Sequence, residues 1–225
     1  MSSPDVTSPV GAERPLRRDA ERNRRRILEA AAEVFAERGL GVTMDDIADR
    51  ADVGVGTVYR RFPDKELLIE ALFEDRVEEI VSLAQQALAE DDPWEALVGF
   101  LERGQALQAC NRGLKELLLS SEHGRERVTS VRERMAPLGE ALVKRAQASG
   151  QLRPDVKGTD LPLIHVMLGG IVDFTRDVDA DTWRRVLAII VDGLRAGESL
   201  TPLEAPALEP NQLDRAMRGW KPVRG

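Results

Sequence analysis

The sequence predicts an all-α fold, in which a small N-terminal module of three helices precedes a larger helical domain. Apolar residues recur at intervals of three and four along most of the chain, and no stretch shows the alternation of a half-buried strand. The 225 residues are 42% hydrophobic but only 4% aromatic. The core is therefore expected to consist mainly of aliphatic side chains, which together with abundant Glu and Arg suit helices.

The N-terminal helices have recognisable start and stop signals. A first helix is expected over about residues 19–38, followed by a glycine stop. Thr43 and Asp46 have the spacing of a capping box, which begins a second helix. Asp52 lies in the break before a third, short helix over about residues 55–62, and it tolerates the left-handed conformation that a tight turn requires.

The larger domain is expected to continue as helix after helix. Its predicted helices are residues 65–88, a helix that begins at Asp92 and ends near residue 111, a short helix to about residue 123, residues 125–149 with a break or kink at Pro137, residues 160–177 and residues 181–196. The expected domains are a disordered tail (1–15), the three-helix module (16–64), the larger domain (65–197) and a C-terminal tail (198–225). Within that tail, residues 211–220 form either a docking helix or a loose end.

The net charge of −7 is unevenly distributed. Seven arginines and only two acidic residues lie between Arg14 and Arg26, whereas the acidic excess lies beyond residue 65. A basic N-terminal patch on an acidic body suits a protein that meets phosphate groups with one end, and an ordinary solvated charge run is the alternative.

Composition and motifs exclude several classes of protein. One cysteine excludes an internal disulfide framework, and no apolar run has the length of a signal peptide or a membrane span, so we expect a soluble cytoplasmic protein without a membrane partner. Two histidines and one cysteine, widely separated, are poor zinc ligands. Because no phosphate-binding glycine loop, HExxH or GxSxG motif is present, we expect no enzyme, no cofactor and no metal.

Residues 43–65, TMDDIADRADVGVGTVYRRFPDK, contain the functional signal. Two short helices joined by a tight turn have the geometry that places a helix in the major groove of DNA. The small side chains of Ala48 and Ala51 let the helices approach closely, and Gly56 brings backbone near the DNA. The residue types that hold phosphate oxygens here are Thr57, Tyr59 and Lys65.

Two further groups of residues are candidates for contact with bases. Val55 can touch a thymine methyl group, and Arg60 can reach a guanine or a phosphate. Arg17 and Arg18 can enter the minor groove as an arm. Phosphate contact or plain solvation is the alternative for the three arginines.

The same stretch resembles the TetR family of bacterial transcriptional regulators. The resemblance covers about residues 22–72 and depends on Val53, Gly56, Thr57, Val58, Tyr59, Phe62 and Lys65. The family often has Gly where this chain has Asp52, Ser where it has Gly54, and His or Tyr where it has Arg61. The resemblance implies DNA binding, with these expected contacts: Arg17, Arg18, Thr43, Gly54, Val55, Gly56, Thr57, Tyr59, Arg60, Arg61 and Lys65.

The resemblance also implies that the larger domain dimerises and binds a small effector. An apolar stripe over residues 183–194, and an apolar run over residues 163–172 that includes Gly169 and Gly170, favour a homodimer through helices near 160–177 and 181–196. Burial of both faces within one domain is the alternative. The candidate effector contacts are Trp94, Phe100, Leu107, Cys110, Leu117, His123, Met135, His165, Met167 and Phe174.

The predicted function is therefore that of a TetR-like repressor, released from a near-palindromic double-stranded DNA operator by a small, hydrophobic or aromatic effector. The alternative is a ligand-binding or interaction protein whose helix-turn-helix no longer reads a specific operator. The missing cap hydroxyl at Gly54 keeps that alternative open.

Overall fold

The computed structural model of the chain describes residues 13–109 and 122–219. The chain divides into two compact units, Met1–Leu72 and Phe73–Gly225, which we call the N-terminal and C-terminal units. The sequence placed the end of its first module at residue 64, before the fourth helix. The first turns of that helix belong to the N-terminal unit because Leu68 and Leu72 are fully buried.

The N-terminal unit contains three complete helices and the start of a fourth. They are α1 (Glu13–Arg38), α2 (Met44–Ala51), α3 (Val55–Arg61) and α4, which spans Lys65–Ala89 and continues into the C-terminal unit; a 3-10 turn, Gly39–Gly41, follows α1. The helix α1 begins at Glu13, before the expected residue 19 and within the expected tail. Pairs at helical spacing, including Arg22 with Asp19 and Arg25 with Glu29, accompany this longer helix.

The core of the N-terminal unit forms where α1 and α2 pack together. The apolar positions that the helical spacing selects on α1, Ile27, Ala31, Val34 and Phe35, are all buried. They meet the buried face of α2, which consists of Met44, Ile47, Ala48 and Ala51. The helix α3 contributes Val58, which is fully buried.

The predicted capping box begins α2. The backbone N–H of Thr43 donates to Asp46 Oδ2 at 2.7 Å, and the backbone N–H of Asp46 donates to Thr43 Oγ1 at 3.2 Å. The Thr43 hydroxyl donates to the same carboxylate at 2.6 Å, and Arg38 lies 2.9 Å from its other oxygen. The hydroxyl of Thr43, its backbone N–H and the Arg38 guanidinium together lower the pKa of Asp46 to about 2.

The turn between α2 and α3 is made by Asp52. Its φ of 50° lies in the left-handed region, as the sequence predicts for this position. Arg26 of α1 donates to the backbone carbonyl of Asp52 at 3.2 Å and to its carboxylate at 3.3 Å. The Arg26 side chain thus connects α1 to the residue at which the chain reverses direction.

The C-terminal unit is also helical. Beyond α4 it contains α5 (Pro93–Ala109), α6 (Glu122–Ala148), α7 (Asp160–Thr175), α8 (Thr182–Leu194) and α9 (Pro210–Gly219). The helix α6 continues through Pro137. The predicted end of α5 near residue 111 and the short helix to residue 123 fall largely outside the described residues. Within residues 13–109 and 122–219 the only β pairing is the isolated bridge between Leu152 and Arg195.

Two arginines connect segments of the C-terminal unit through backbone carbonyls. Arg145 of α6 donates to the carbonyls of Leu88 and Glu90 at 2.7 and 2.8 Å, and it thereby satisfies the end of α4. Arg153 donates to the carbonyls of Gly193 and Thr201 at 3.2 and 2.6 Å. The segment after α8 is therefore fixed to the unit before α9 begins.

The capping box gives a first testable prediction. Thr43→Ala removes the cap hydroxyl, so we expect the free energy of unfolding to fall by about 1 kcal/mol at pH 7. Asp46 has a pKa near 2 when folded, below its ordinary value of 3.8. Its stabilising contribution is therefore complete above pH 3.8 and is lost as pH falls towards 2, so the effect of Thr43→Ala should shrink over that range.

Urea unfolding followed by circular dichroism, at pH 7 and near pH 3, measures both effects. Thr43→Ser is the matched control, since it keeps the hydroxyl and should cost only a few tenths of a kcal/mol. A Thr43→Ala variant as stable as the Thr43→Ser control at pH 7 would show that the box contributes nothing.

Candidate nucleic-acid interface and ligand site

The helix α3 has one fully buried residue and exposes a valine and a tyrosine to solvent. Val58 is fully buried, whereas Val55 is 38% exposed and Tyr59 is 47% exposed. Val55 and Tyr59 are four residues apart, so they lie on one helical face. An aliphatic group and a phenol are thus placed side by side on the surface of the helix that the sequence assigns to base recognition.

The polar residues of α3 lie along the helix itself. Arg60 Nε donates to the carbonyl of Gly56 at 3.0 Å, and its Nη2 donates to Thr57 Oγ1 at 3.1 Å. Arg61 lies 3.7 Å from the carboxylate of Glu21 on α1. Both guanidinium groups are exposed, and contact with DNA would exchange these weak surface contacts for phosphate or base contacts.

The residues that flank α3 have backbone and packing roles. Gly54 is the N-cap of α3, with φ −64° and ψ 137°, and no side chain caps this helix. Lys65 donates to the carbonyl of Val42 at 2.6 Å, and its ammonium lies 5.7 Å from the centre of the Phe35 ring. The sequence predicted a phosphate contact for Lys65 and did not predict this contact within the unit. An ammonium group has three donors, so it can hold a carbonyl and a phosphate together.

The arginine pair proposed as a minor-groove arm lies in a helix. Arg17 and Arg18 are part of α1, whose described range begins at Glu13. The sequence placed the start of this helix at about residue 19, whereas the backbone at Arg17 and Arg18 is already helical. The side chains of both residues lie outside the described part, so their contact with the minor groove stays a prediction.

Arg50 of α2 forms ion pairs with α1 that the sequence analysis did not predict. Its guanidinium lies 2.9 Å from Glu33 and 2.6 Å from Glu37, both on α1. These contacts raise the pKa of Arg50, and the hydrogen bond from Arg50 lowers the pKa of Glu37. Helical periodicity does not reveal these ion pairs, because Glu37 and Glu33 lie 13 and 17 residues before Arg50 in the sequence.

The candidate effector residues fall into three groups. Trp94, Phe100 and His165 are buried in the C-terminal unit, and Met135 packs against the same core while Leu107 is half-buried. Met167 and Phe174 are exposed, because they lie on the face of α7 opposite its buried residues. Cys110 and Leu117 lie outside the described residues, as does the side chain of His123. The structure therefore brings together the first group and places Met167 and Phe174 away from it.

A polar pair that includes one residue missed by the sequence analysis lies within this core. Gln105 of α5 is fully buried, and its Oε1 lies 3.4 Å from His165 Nδ1 on α7. Gln105 follows the buried Leu97 and Leu101 at intervals of four residues. A polar residue in that register was the available signal.

The described part of the chain has neither a metal-binding cluster nor a helix suited to a membrane. No group of three or more His, Cys, Asp or Glu side chains there is arranged to hold a metal ion. None of the helices in residues 13–109 and 122–219 combines the length and the apolar character needed to cross a membrane.

Comparison with known families gives two matches along the chain. The model described as "Bacterial regulatory proteins, tetR family" matches residues 27–72, which include α2, α3, the C-terminal part of α1 and the start of α4. The model described as "Transcriptional regulator SbtR-like, C-terminal domain" matches residues 92–196, which run from the start of α5 to the end of α8.

Individual proteins agree with these matches. The crystal structure of the TetR transcription regulatory protein from Mycobacterium vanbaalenii is 38% identical, with a TM-score of 0.66, over 81% of this chain and 100% of that one. The TetR regulator SCO0520 from Streptomyces coelicolor is 30% identical, with a TM-score of 0.61, over 77% and 98%. The repressor KstR of Mycobacterium tuberculosis is 41% identical over 100 residues, which are 42% of this chain and 46% of that protein. The chain thus spans just under half the length of this curated relative.

The matched regions contain the residues on which the resemblance was based, and the helical fold agrees with the neighbouring structures over their whole length. The chain belongs to the TetR family of transcriptional regulators.

Proposed function

We propose that this regulator is a homodimeric repressor that reads a near-palindromic operator and is released from it by a small effector. The observation that supports operator reading most directly is the exposed face of α3, where Val55 and Tyr59 stand outward from the buried Val58. Relatives that are named as repressors, such as KstR, support the direction of the response.

Contact with DNA divides between the two exposed residues and their neighbours. The Val55 methyl groups suit the methyl group of thymine, which only the major groove presents. The Tyr59 hydroxyl suits a phosphate oxygen, as do the exposed Arg60 and Arg61. Thr43 suits it less well than the sequence implied, because its hydroxyl and its backbone N–H both donate to Asp46 in the capping box. Gly54 and Gly56 have open space where a side chain would begin, so backbone can approach the DNA at both positions. We propose that α3 reads bases with Val55 and is held in register by these phosphate contacts.

The α8 stripe that the sequence analysis assigned to the dimer packs against the core of its own unit, with Trp183 and Leu187 buried. Dimerisation is supported instead by other apolar side chains on α7 and α8. Phe174 on α7 is 87% exposed and Ile189 on α8 is 64% exposed, and Leu163 and Met167 add to the exposed apolar surface of α7. Large apolar side chains grouped on neighbouring helices indicate an interface. A twofold pairing of α7 and α8 would bury them and would present two copies of α3 to successive major grooves, roughly 34–36 Å apart.

Effector binding is proposed for the buried cluster around Phe100 and His165 in the C-terminal unit. An effector that binds one conformer of the dimer more tightly than the other shifts the population towards that conformer. A coupling free energy of about 1–3 kcal/mol would change operator affinity by roughly 5–150-fold. By reciprocity, operator DNA would weaken effector binding by the same factor.

Selection of genomic DNA fragments by the purified, full-length protein tests the proposed function. We expect recovery of one near-palindromic motif with half-sites about one helical turn apart. Recovery of no enriched motif would favour the alternative, a ligand-binding or interaction protein whose α3 no longer reads a specific operator.

Substitutions on α3 separate base reading from phosphate contact. Tyr59→Ala should weaken binding to the selected fragment and to random DNA alike, whereas Val55→Ala should alter sequence preference more than overall affinity. Loss of one apolar base contact corresponds to about 1 kcal/mol, or roughly fivefold, at the contacted base pair.

Fluorescence anisotropy with the selected fragment and its single-base variants measures both effects. Gln85→Ala, on the exposed surface of α4, is the control and should leave both unchanged. Full affinity for both DNAs in the Tyr59→Ala variant would mean that α3 is not the recognition helix.

The dimer interface yields a further prediction. Ile189→Glu places a charge at the centre of the proposed twofold contact, so we expect the molar mass from light scattering to fall from twice that of the chain to that of one chain. Leu203→Glu, at a comparably exposed apolar residue after α8, is the matched control and should leave the dimer intact. A dimer that withstands Ile189→Glu, and also Phe174→Glu, would place the interface elsewhere.

A further inference from the structure

The buried pair of Gln105 and His165 has unused hydrogen-bonding capacity. Gln105 is fully buried and His165 is only 6% exposed. One contact joins them, at 3.4 Å between His165 Nδ1 and Gln105 Oε1. Within the described part of the chain, neither Gln105 Nε2 nor His165 Nε2 has a hydrogen-bond partner. Two polar atoms thus lie together in an apolar core without a protein partner there.

The helix α5 holds the His165 ring in one orientation. Phe100 meets the ring edge to face, with centroids 5.9 Å apart and planes at 90°. One turn later, Gly104 leaves room for the ring, because a Cβ there would lie 3.1 Å from His165 Cε1. Ile80 Cδ1 of α4 would lie 3.3 Å from the same Cβ, so an apolar side chain borders the ring from a third helix. The pair is therefore a fixed polar group with apolar surroundings.

The pair can both donate and accept a further hydrogen bond in either orientation of the Gln105 amide. If Gln105 Oε1 accepts from His165 Nδ1, the free groups are an acceptor at His165 Nε2 and the amide N–H donors. If the amide is flipped and donates to Nδ1, the free groups are a donor at His165 Nε2 and an acceptor at the amide oxygen. In either case the pair offers at least one donor and an acceptor.

The pair carries no charge at neutral pH. Burial lowers the pKa of His165 to about 4, so its imidazole is neutral at pH 7. Gln105 has no titratable group. A carboxylate or phosphate would therefore lose its hydration on entering the core without gaining a counter-charge from this pair.

We propose that Gln105 and His165 are the polar recognition element of the effector site, and that they bind a neutral group able both to donate and to accept a hydrogen bond, such as a hydroxyl or a carboxamide, on an otherwise apolar molecule. This inference rests on the proposed effector-responsive function and names the chemical class of the effector. A purely structural pair is the competing explanation. Under that explanation, a probe that both donates and accepts would bind no better than one that only accepts.

Matched probes test the proposal with the full-length protein. 1-Octanol donates and accepts, octyl methyl ether only accepts, and octanoate is an anion at pH 7.5. Calorimetry should show saturable binding of 1-octanol, with the ether roughly tenfold or more weaker because one hydrogen bond is lost and the buried acceptor of the pair stays unpaired, and octanoate weaker still. Octanamide should behave like the alcohol.

Histidine labelling locates the site. The chain has only two histidines, so a protein labelled with ¹⁵N-histidine gives two imidazole spin systems, and His123→Gln assigns them. 1-Octanol should shift the Nε2 resonance of His165 in a saturable way, with the same dissociation constant that calorimetry gives. A probe that binds elsewhere would leave that resonance unchanged, which would contradict the proposal.

The double variant Gln105→Leu with His165→Phe separates recognition from packing. Because both partners become apolar, we expect a folded protein whose melting temperature is unchanged or raised, and in which 1-octanol no longer binds better than the ether. Gln85→Leu, on the exposed surface of α4, is the control and should keep the preference. Equal affinities in the wild type, a preference that survives in the double variant, or no saturable binding by any probe would overturn the inference. Any of these results would contradict only the proposed chemical class of the effector. Operator reading would still be supported if genomic selection recovers a palindromic motif.

Discussion

The reversal of the chain at Asp52 is the constraint on which the proposed DNA interface depends. A left-handed residue at this position ends α2 and lets α3 begin three residues later, so that Val58 faces inward and Val55 and Tyr59 face outward. Arg26 reaches from α1 to both the carbonyl and the carboxylate of Asp52. The family often has glycine here, and aspartate adds a side chain that ties the turn to the first helix while still tolerating the left-handed backbone.

The C-terminal unit uses the two faces of α7 in different ways. Its inner face carries His165 beside the buried Leu161 and Leu168, whereas Leu163, Met167 and Phe174 are exposed. In the proposed mechanism, the inner face takes part in effector binding and the outer face in the dimer contact. A group that binds to His165 therefore acts on the same helix that sets the geometry of the dimer, and no separate relay is needed between ligand and quaternary structure.

Local rules were sufficient where neighbours in sequence are also neighbours in space. The spacing of Thr43 and Asp46 predicted the capping box, and the tolerance of Asp52 for positive φ predicted the turn. Contacts between distant residues were not predictable in this way. The bond from Lys65 to Val42 spans 23 residues, and the contact between Gln105 and His165 spans 60. Such pairings depend on how helices pack, which periodicity does not specify.

Which apolar side chains are buried was also not predictable from helical spacing alone. Phe100 and Phe174 are equally apolar, and helical spacing places each on an apolar face of its helix. One is buried in the core and the other is exposed on α7, because that helix has two apolar faces and only one of them packs against other described residues. The sequence analysis therefore predicted both as effector contacts, whereas the structure places Phe174 away from Phe100.

The most direct test of the account is a salt titration of binding to the selected genomic fragment and to a scrambled duplex of the same composition. A sequence-reading dimer should lose affinity for both DNAs along steep log–log slopes as salt rises, and it should bind the selected fragment at least about 10³-fold more tightly than the scrambled duplex at physiological salt. Steep slopes without a gap between the two DNAs would mean that the protein meets phosphate groups only, and would contradict the claim that α3 reads sequence.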